Sequence, residues 1–279
     1  MVPHPIERLR WIARAEGETA AVLAGEAAWT LGELAVAEPA ALLTASRRLV
    51  ERLPGCGPLW WACAHMLATD DPIATARRVA AQLVSDTVGD RLADALRANF
   101  TSSDWLSATV PVDTLCQALA RRGTYGVRLV ADRDLLRPAL RALGAVAEEV
   151  VGYRIEEAGA ALDGAAALLV EPSLAAEAAP GPGSGRGRLL LAEPGVAAVV
   201  GEAAARSVPV WIVLGVGRVL PPALAEAASE LAGGDLAPLD PSLVVTAVDA
   251  TGLAPIDEAL ARAECPSGTE LAHRGWRPR

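Results

Sequence analysis

The 279-residue sequence contains no lysine, so all 25 of its cationic side chains are arginine. This removes a Schiff-base lysine, a phosphate-loop lysine and a lysine general base from consideration. Any cationic contact to a phosphate or carboxylate must come from a guanidinium fork. Cysteine is scarce: Cys56, Cys63, Cys116 and Cys265 show no CxxC spacing. That pattern speaks against a metal site and fits buried, reduced thiols. Positive charge is outweighed, with a net charge of −9 and an isoelectric point near 5.0. A surface of that sign fits neither nucleic acid nor an anionic membrane as a partner. The N-terminus lacks an apolar signal core, and no apolar run approaches the ~20 residues needed to span a bilayer. A cytoplasmic protein is expected. The apolar share of 52% is enough for a large core and excludes disorder throughout.

Residues 1–98 read as a helical domain. Pro5, Pro39, Pro58 and Pro72 each stand where a first helical turn tolerates proline. Ile6, Leu9, Ile12 and Ala13 follow helical spacing, and Leu42, Leu43, Ser46, Leu49 and Val50 share one face. From Phe100 the texture changes to strands alternating with helices. Strands are expected at 105–110, 126–130, 146–151, 166–170, 209–214 and 243–248. The spacing predicts an α/β fold, a Rossmann-like and mostly parallel sheet with helices on both faces, over 99–265. Residues 266–279 read as a flexible tail.

The centre of this second half is 168–219. It reads as a strand, the tip Glu171-Pro172-Ser173, a glycine-rich loop at 180–188, a helix, and the strand Pro209–Leu214. Ligands in such sheets sit beyond the carboxyl ends of the strands. Ser107, Arg133, Glu171, Ser173, Arg186, Glu193, Gly195 and Arg218 are therefore the candidate ligand-binding residues. Arg133 is either an anion clamp or a surface arginine beside Asp132 and Asp134. The glycine-rich loop is an anion nest, a lid carrying Arg186 and Arg188, or plain surface; it has no GKS or GKT. Glu171 and Glu193 form an acidic pair or merely cap turns and helices. Arg218 reaches the crevice or pairs with a nearby acid. His65 reads as a core or interface histidine, since no second histidine is near.

Several stretches resemble the superfamily of translation initiation factor 2B alpha, beta and delta subunits, which includes methylthioribose-1-phosphate isomerase and ribose-1,5-bisphosphate isomerase. Leu53-Pro54-Gly55-Cys56-Gly57-Pro58-Leu59-Trp60-Trp61 is similar to its "RPTAVNLxWA". Ala131-Asp132-Arg133-Asp134-Leu135-Leu136 is similar to "ETRPLxxG", and Leu168–Ser173 stands in the place of "VGAD". Gly195–Val210 parallels "GTxxLAxxAxxxxVPV", and Pro238–Gly252 resembles the closing motif. The resemblance implies a helical domain before a Rossmann-like half, a homodimer and a divergent bacterial member.

It also implies an isomerase site that this chain has changed. The family's cysteine after the first Rossmann strand has no counterpart in 106–110, and Cys116 lies farther on. Ser173 stands for the aspartate of "GAD", and Ala192-Glu193-Pro194-Gly195 replaces "NKxG". Proton transfer between sugar carbons needs a placed acid and base, which an alcohol does not supply. The expectation is a protein that binds a small phosphorylated metabolite, a sugar phosphate or nucleotide, without the family's cysteine and aspartate chemistry. An isomerase using Glu171 or Glu193, and a structural or regulatory interaction protein, are the alternatives. Neither a cofactor nor a metal is expected.

Overall fold

The computed structural model describes residues 4–15, 17–121, 126–178, 187–244, 246–262 and 264–272. Six helices come first: α1 Pro5–Ile12, α2 Ala20–Ala37, α3 Leu42–Arg52, α4 Gly57–Leu67, α5 Pro72–Val84 and α6 Val88–Asn99. Pro5, Pro58 and Pro72 occupy the first turns of α1, α4 and α5, where the missing N–H is no loss. Thr19 caps α2 by accepting from Val22 N at 3.3 Å, and Asp71 caps α5 by accepting from Ala74 N at 3.1 Å. By length and composition α2 is long and apolar enough to cross a membrane. Leu23, Leu31 and Leu34 of α2 are nevertheless buried, in one core with Leu59 and Trp60 of α4 and Val79 of α5.

The remainder alternates β1 Trp105–Thr109, α7 Asp113–Ala120, β2 Gly126–Ala131, α8 Arg133–Leu143, β3 Glu149–Arg154, α9 Ala158–Leu162 and β4 Ala165–Val170. It continues through β5 Leu174–Ala178, β6 Gly187–Ala192, α10 Pro194–Ala205, β7 Val210–Val213, α11 Pro222–Ala232, β8 Ala237–Pro238, β9 Thr246–Asp249, β10 Gly252–Pro255, α12 Ile256–Ala261 and α13 Thr269–Ala272. The large sheet runs β10-β9-β7-β4-β1-β2-β3. Its pairs are parallel except β10 with β9. The α/β expectation holds. Strand order reverses between β1 and β4, so their carboxyl ends splay apart and open a crevice.

Sequence and structure part company between β4 and α10. There two strands that were not expected, β5 and β6, stand on either side of the expected glycine-rich loop and join β8 in a separate antiparallel sheet; 180–186 of that loop lie outside the described residues. Leu174-Ala175-Ala176-Glu177-Ala178 is poor in β-branched residues, so its sequence does not read as a strand. It is extended because Leu174 and Ala176 are buried in the core of the first five helices. That same core takes in Leu191 of β6, Leu220, Leu224 of α11 and Leu271 of α13. Part of the expected flexible tail is therefore packed: Leu271 is buried, and Arg47 Nη2 donates to the Glu270 carbonyl at 2.7 Å. Residues 273–279 lie outside the described residues.

Two backbone clamps hold the helices against the sheet. Gly57 N donates to the Ser173 carbonyl at 3.2 Å. Asp86, between α5 and α6, accepts from Val88 N at 2.9 Å and from Val216 N at 2.8 Å. Beside it Gly217 has φ +79°, and a Cβ there would lie 2.8 Å from Pro58 Cα. Gly164 has a similar φ of +65° but open space around it. Gly164→Ala should thus cost only the backbone term, about 1 kcal/mol. Gly217→Ala should lose about 1–3 kcal/mol more through overlap with α4. Equal losses in urea unfolding would show that the clamp contributes nothing.

Candidate functional site

The reversal of strand order points to a candidate site where β1, β2 and β4 end and α7 and α8 begin. Val170 closes β4 in the core, and the chain then turns through Glu171 and Pro172, both buried. Glu171 forms an ion pair with Arg218, the two side chains being 7% and 8% exposed. Arg218 Nη1 also donates to the Pro172 carbonyl at 2.6 Å. Glu171 has a fixed countercharge and Arg218 has spent its own.

One further carboxyl, Asp113, borders this pair, and Glu193 and Asp132 interact with each other. Asp113, in the first turn of α7, has its pKa raised by burial and by the Glu171 carboxylate, with Arg218 pulling the other way. Glu193 precedes α10; burial raises its pKa, and the Asp132 carboxylate at the start of α8 adds to the shift. Helix N-termini favour negative charge, so these positions suit carboxylates. The thiols are quiet. Burial pushes Cys116 up to about 11, helped by Asp113 and Glu171, and pushes Cys56 up to about 11 as well. Neither is an available thiolate near neutral pH.

The candidates read from sequence separate accordingly. Glu171 and Arg218 come together directly. Ser173 is half-buried at the turn after Glu171, and its carbonyl takes the Gly57 bond. Glu193 stands beside Asp132, while Arg133, the next residue, is exposed at the first turn of α8. Gly195 lies so close to Ile155 that any side chain there would overlap it. Ser107 is not at the crevice mouth: it is fully buried inside β1 and donates to the Ala161 carbonyl at 2.7 Å. Arg186 lies outside the described residues. The strands pair from Leu174↔Leu191 to Ala178↔Gly187, which carries Ala178 roughly 17 Å from Ser173. Arg188, a lid cation in one expectation, instead clamps Asp257 (Nη2 to Oδ2, 2.6 Å) and the Val244 carbonyl (3.0 Å).

Asp113, Asp132 and Asp86 were missed as site-shaping residues. For Asp113 the signal was present: Pro111-Val112-Asp113 is the turn leaving the first strand. Asp86 had none, because its partner Val216 is 130 positions away.

Comparisons with known proteins rest on shape. No family model matches the sequence, and no curated protein does. Among solved structures, translation initiation factor eIF-2B from Pyrococcus horikoshii OT3 superposes with a TM-score of 0.69 at 14% identity, over 93% of this chain and 100% of that one. The tetrameric eIF2B-beta2-delta2 complex from C. thermophilum matches with TM-score 0.68 at 16% identity, over 92% of each chain. 5-methylthioribose 1-phosphate isomerase from P. horikoshii OT3 matches with 0.59 at 12% identity, over 90% of this chain and 84% of that one. The fold is that of the initiation factor 2B subunits. It is shared with a sugar-phosphate isomerase, so the initiation-factor-2B-like and isomerase-like character read from the motifs stands at the level of fold.

Two outcomes follow from the crevice electrostatics. Arg218→Met strands the buried Glu171 charge and should cost about 3–5 kcal/mol. Adding Glu171→Leu should restore most of it; a double variant no more stable than the single one refutes the pairing. For Glu193 the folded pKa exceeds the unfolded one. Its stability contribution is therefore complete below the unfolded value and is lost as pH rises through the folded value. Glu193→Gln should accordingly raise the melting temperature at pH 7, with the gain fading toward about pH 4. A gain independent of pH would remove burial of that charge as the cause.

Proposed function

We propose that this chain is a cytoplasmic binding protein for a small sugar phosphate, held in the crevice over β1, β2 and β4 and not isomerised there. The reading is carried by one observation: Glu193 and Asp132 are close enough for their charges to interact, with Arg133 the next residue. Carboxyls accept hydrogen bonds from sugar hydroxyls, and a guanidinium at the mouth receives a phosphate in fork geometry. Residues 1–98 wall the crevice through α4, and 99–265 supply its floor. The absence of isomerisation is supported by Cys116, whose thiol is held protonated, and by Glu171, whose charge is tied to Arg218. A base needs freedom to take up a proton near the working pH.

Raised carboxyl pKa values favour a second reading. Glu193 keeps its proton to higher pH than an ordinary glutamate, which suits a general acid or base for aldose–ketose interconversion. In both readings the protein is a homodimer; one structural neighbour is itself an assembly of eIF2B beta and delta subunits.

Ribose 5-phosphate, 5-methylthioribose 1-phosphate and unphosphorylated ribose should be compared by thermal shift and titration calorimetry. Binding at a hundredfold excess over Kd stabilises by about 2.7 kcal/mol. The phosphorylated sugars should shift the wild type, ribose much less, and Arg133→Ala should lose the phosphate-dependent part. NMR of the incubated sugars should show no conversion. Conversion that disappears in Glu193→Gln would establish the isomerase reading. A flat panel would overturn both and leave a regulatory interaction protein, whose dimer light scattering would detect.

A further inference from the structure

Gly215–Gly217, the segment that leads into Arg218, borders a second space. A cavity of about 620 Å³ lies between α4 and α5 on one side and the carboxyl ends of β7 and β9 on the other. That volume falls in the range of small-molecule sites, roughly 300–1,000 Å³. Trp61, Val88, Leu214, Val216, Val219 and Ala259 make its lining predominantly apolar. The Trp61 ring stands edge-on to His65, centroids 4.6 Å apart at 72°. Its indole N–H is already spent on the Glu264 carbonyl at 2.8 Å.

The polar groups differ between the two walls. On the sheet side Arg262 is fully engaged: it donates to Asp249 Oδ2 at 3.0 Å, to Glu258 Oε2 at 3.0 Å and to Thr251 Oγ1 at 2.6 Å. Asp249 in turn accepts from Thr251 N at 2.7 Å. Asp249 and Arg262 thus neutralise one another, and the remaining lining carboxylate, Glu264, is exposed and forms no ion pair among the described residues. On the helical side Arg78 makes only long contacts, 3.5 Å to Gln82 Oε1 and 3.5 Å to His65 Nδ1, and forms no ion pair among the described residues. His65 is kept from charging by burial and by Arg78 itself, against a pull from Glu264. One unpaired guanidinium with an amide and a neutral imidazole beside it matches one carboxylate.

We propose that this cavity is a binding site, separate from the sugar crevice, for a flat apolar acid: an aromatic ring lodged among Trp61, Val88, Val216 and Val219 with its single carboxylate on Arg78 and Gln82. It stands independently of the sugar-phosphate reading, since it uses none of Arg133, Asp132 or Glu193. The second cation, Arg262, is neutralised, so a doubly charged phosphate is the poorer match.

The test uses the full-length chain and two probes of nearly equal shape, indole-3-acetate and the neutral indole-3-ethanol, followed by calorimetry. The acid should bind at one site per chain and more tightly than the alcohol. Arg78→Gln should weaken the acid by about tenfold or more, the worth of one charged hydrogen bond, and leave the alcohol nearly unchanged. Val216→Trp, which fills the cavity from a half-buried loop position, should abolish both. If that variant does not fold by circular dichroism, Val219→Phe serves the same purpose. The proposal is overturned if the wild type binds neither probe. It is equally overturned if folded cavity-filling variants bind both as before, or if Arg78→Gln weakens acid and alcohol alike.

Discussion

The ion pair between Glu171 and Arg218 is the constraint on which the surrounding structure depends. Two charges taken out of water cost several kcal/mol each unless they meet each other and further partners. Arg218 gains one in the Pro172 carbonyl, and its own carbonyl accepts from Ala175 N at 2.7 Å. Leu220 N then donates to the Ala175 carbonyl at 2.8 Å, so the strand tip after β4, the start of β5 and the strap after β7 are one bonded unit. The next links, Ser173 to Gly57 and Val216 to Asp86, join that unit to the six leading helices. Helices α1–α5 share a core with β5, β6 and α11, and α6 is buried against β1 and β2 of the large sheet.

The same pair decides the chemistry of the crevice. A parallel sheet with helices starting at its carboxyl edge is a ready site for anions. In this chain Asp113, Asp132 and Glu193 already occupy the starts of α7, α8 and α10, and the deepest cation is neutralised. Arg133, by contrast, is exposed at the first turn of α8. On the far side of the strap the walls are mostly apolar, and Arg78 there forms no ion pair among the described residues.

Legibility of the fold followed the periodicity of each segment. Buried parallel strands such as 126–131 and 165–170 are apolar runs bounded by polar or glycine turns, and their positions could be read directly. The third strand, expected at 146–151, runs from Glu149 to Arg154; apolar pairs stand on both sides of Glu148-Glu149, so the pattern gives no signal of where pairing begins. The hairpin of β5 and β6 was illegible for a stronger reason. Leu174–Ala178 has the composition of a helix and is extended only because its partner strand, Gly187–Ala192, and the leading helices hold it.

Composition by itself determined that phosphate or carboxylate contacts fall to arginine, that no lysine chemistry operates, and that an α/β sheet follows a run of helices. Those conclusions depend on residue inventory and short-range periodicity, which a linear chain displays openly. Tertiary structure alone decided which arginine is free. Arg218, Arg188 and Arg78 look alike in sequence, yet the first is tied to Glu171 47 positions away and the second to Asp257 69 positions away, while the third has no ion pair among the described residues. Charge is a property of the residue, but its availability is set by whatever the fold brings within a few ångströms of it.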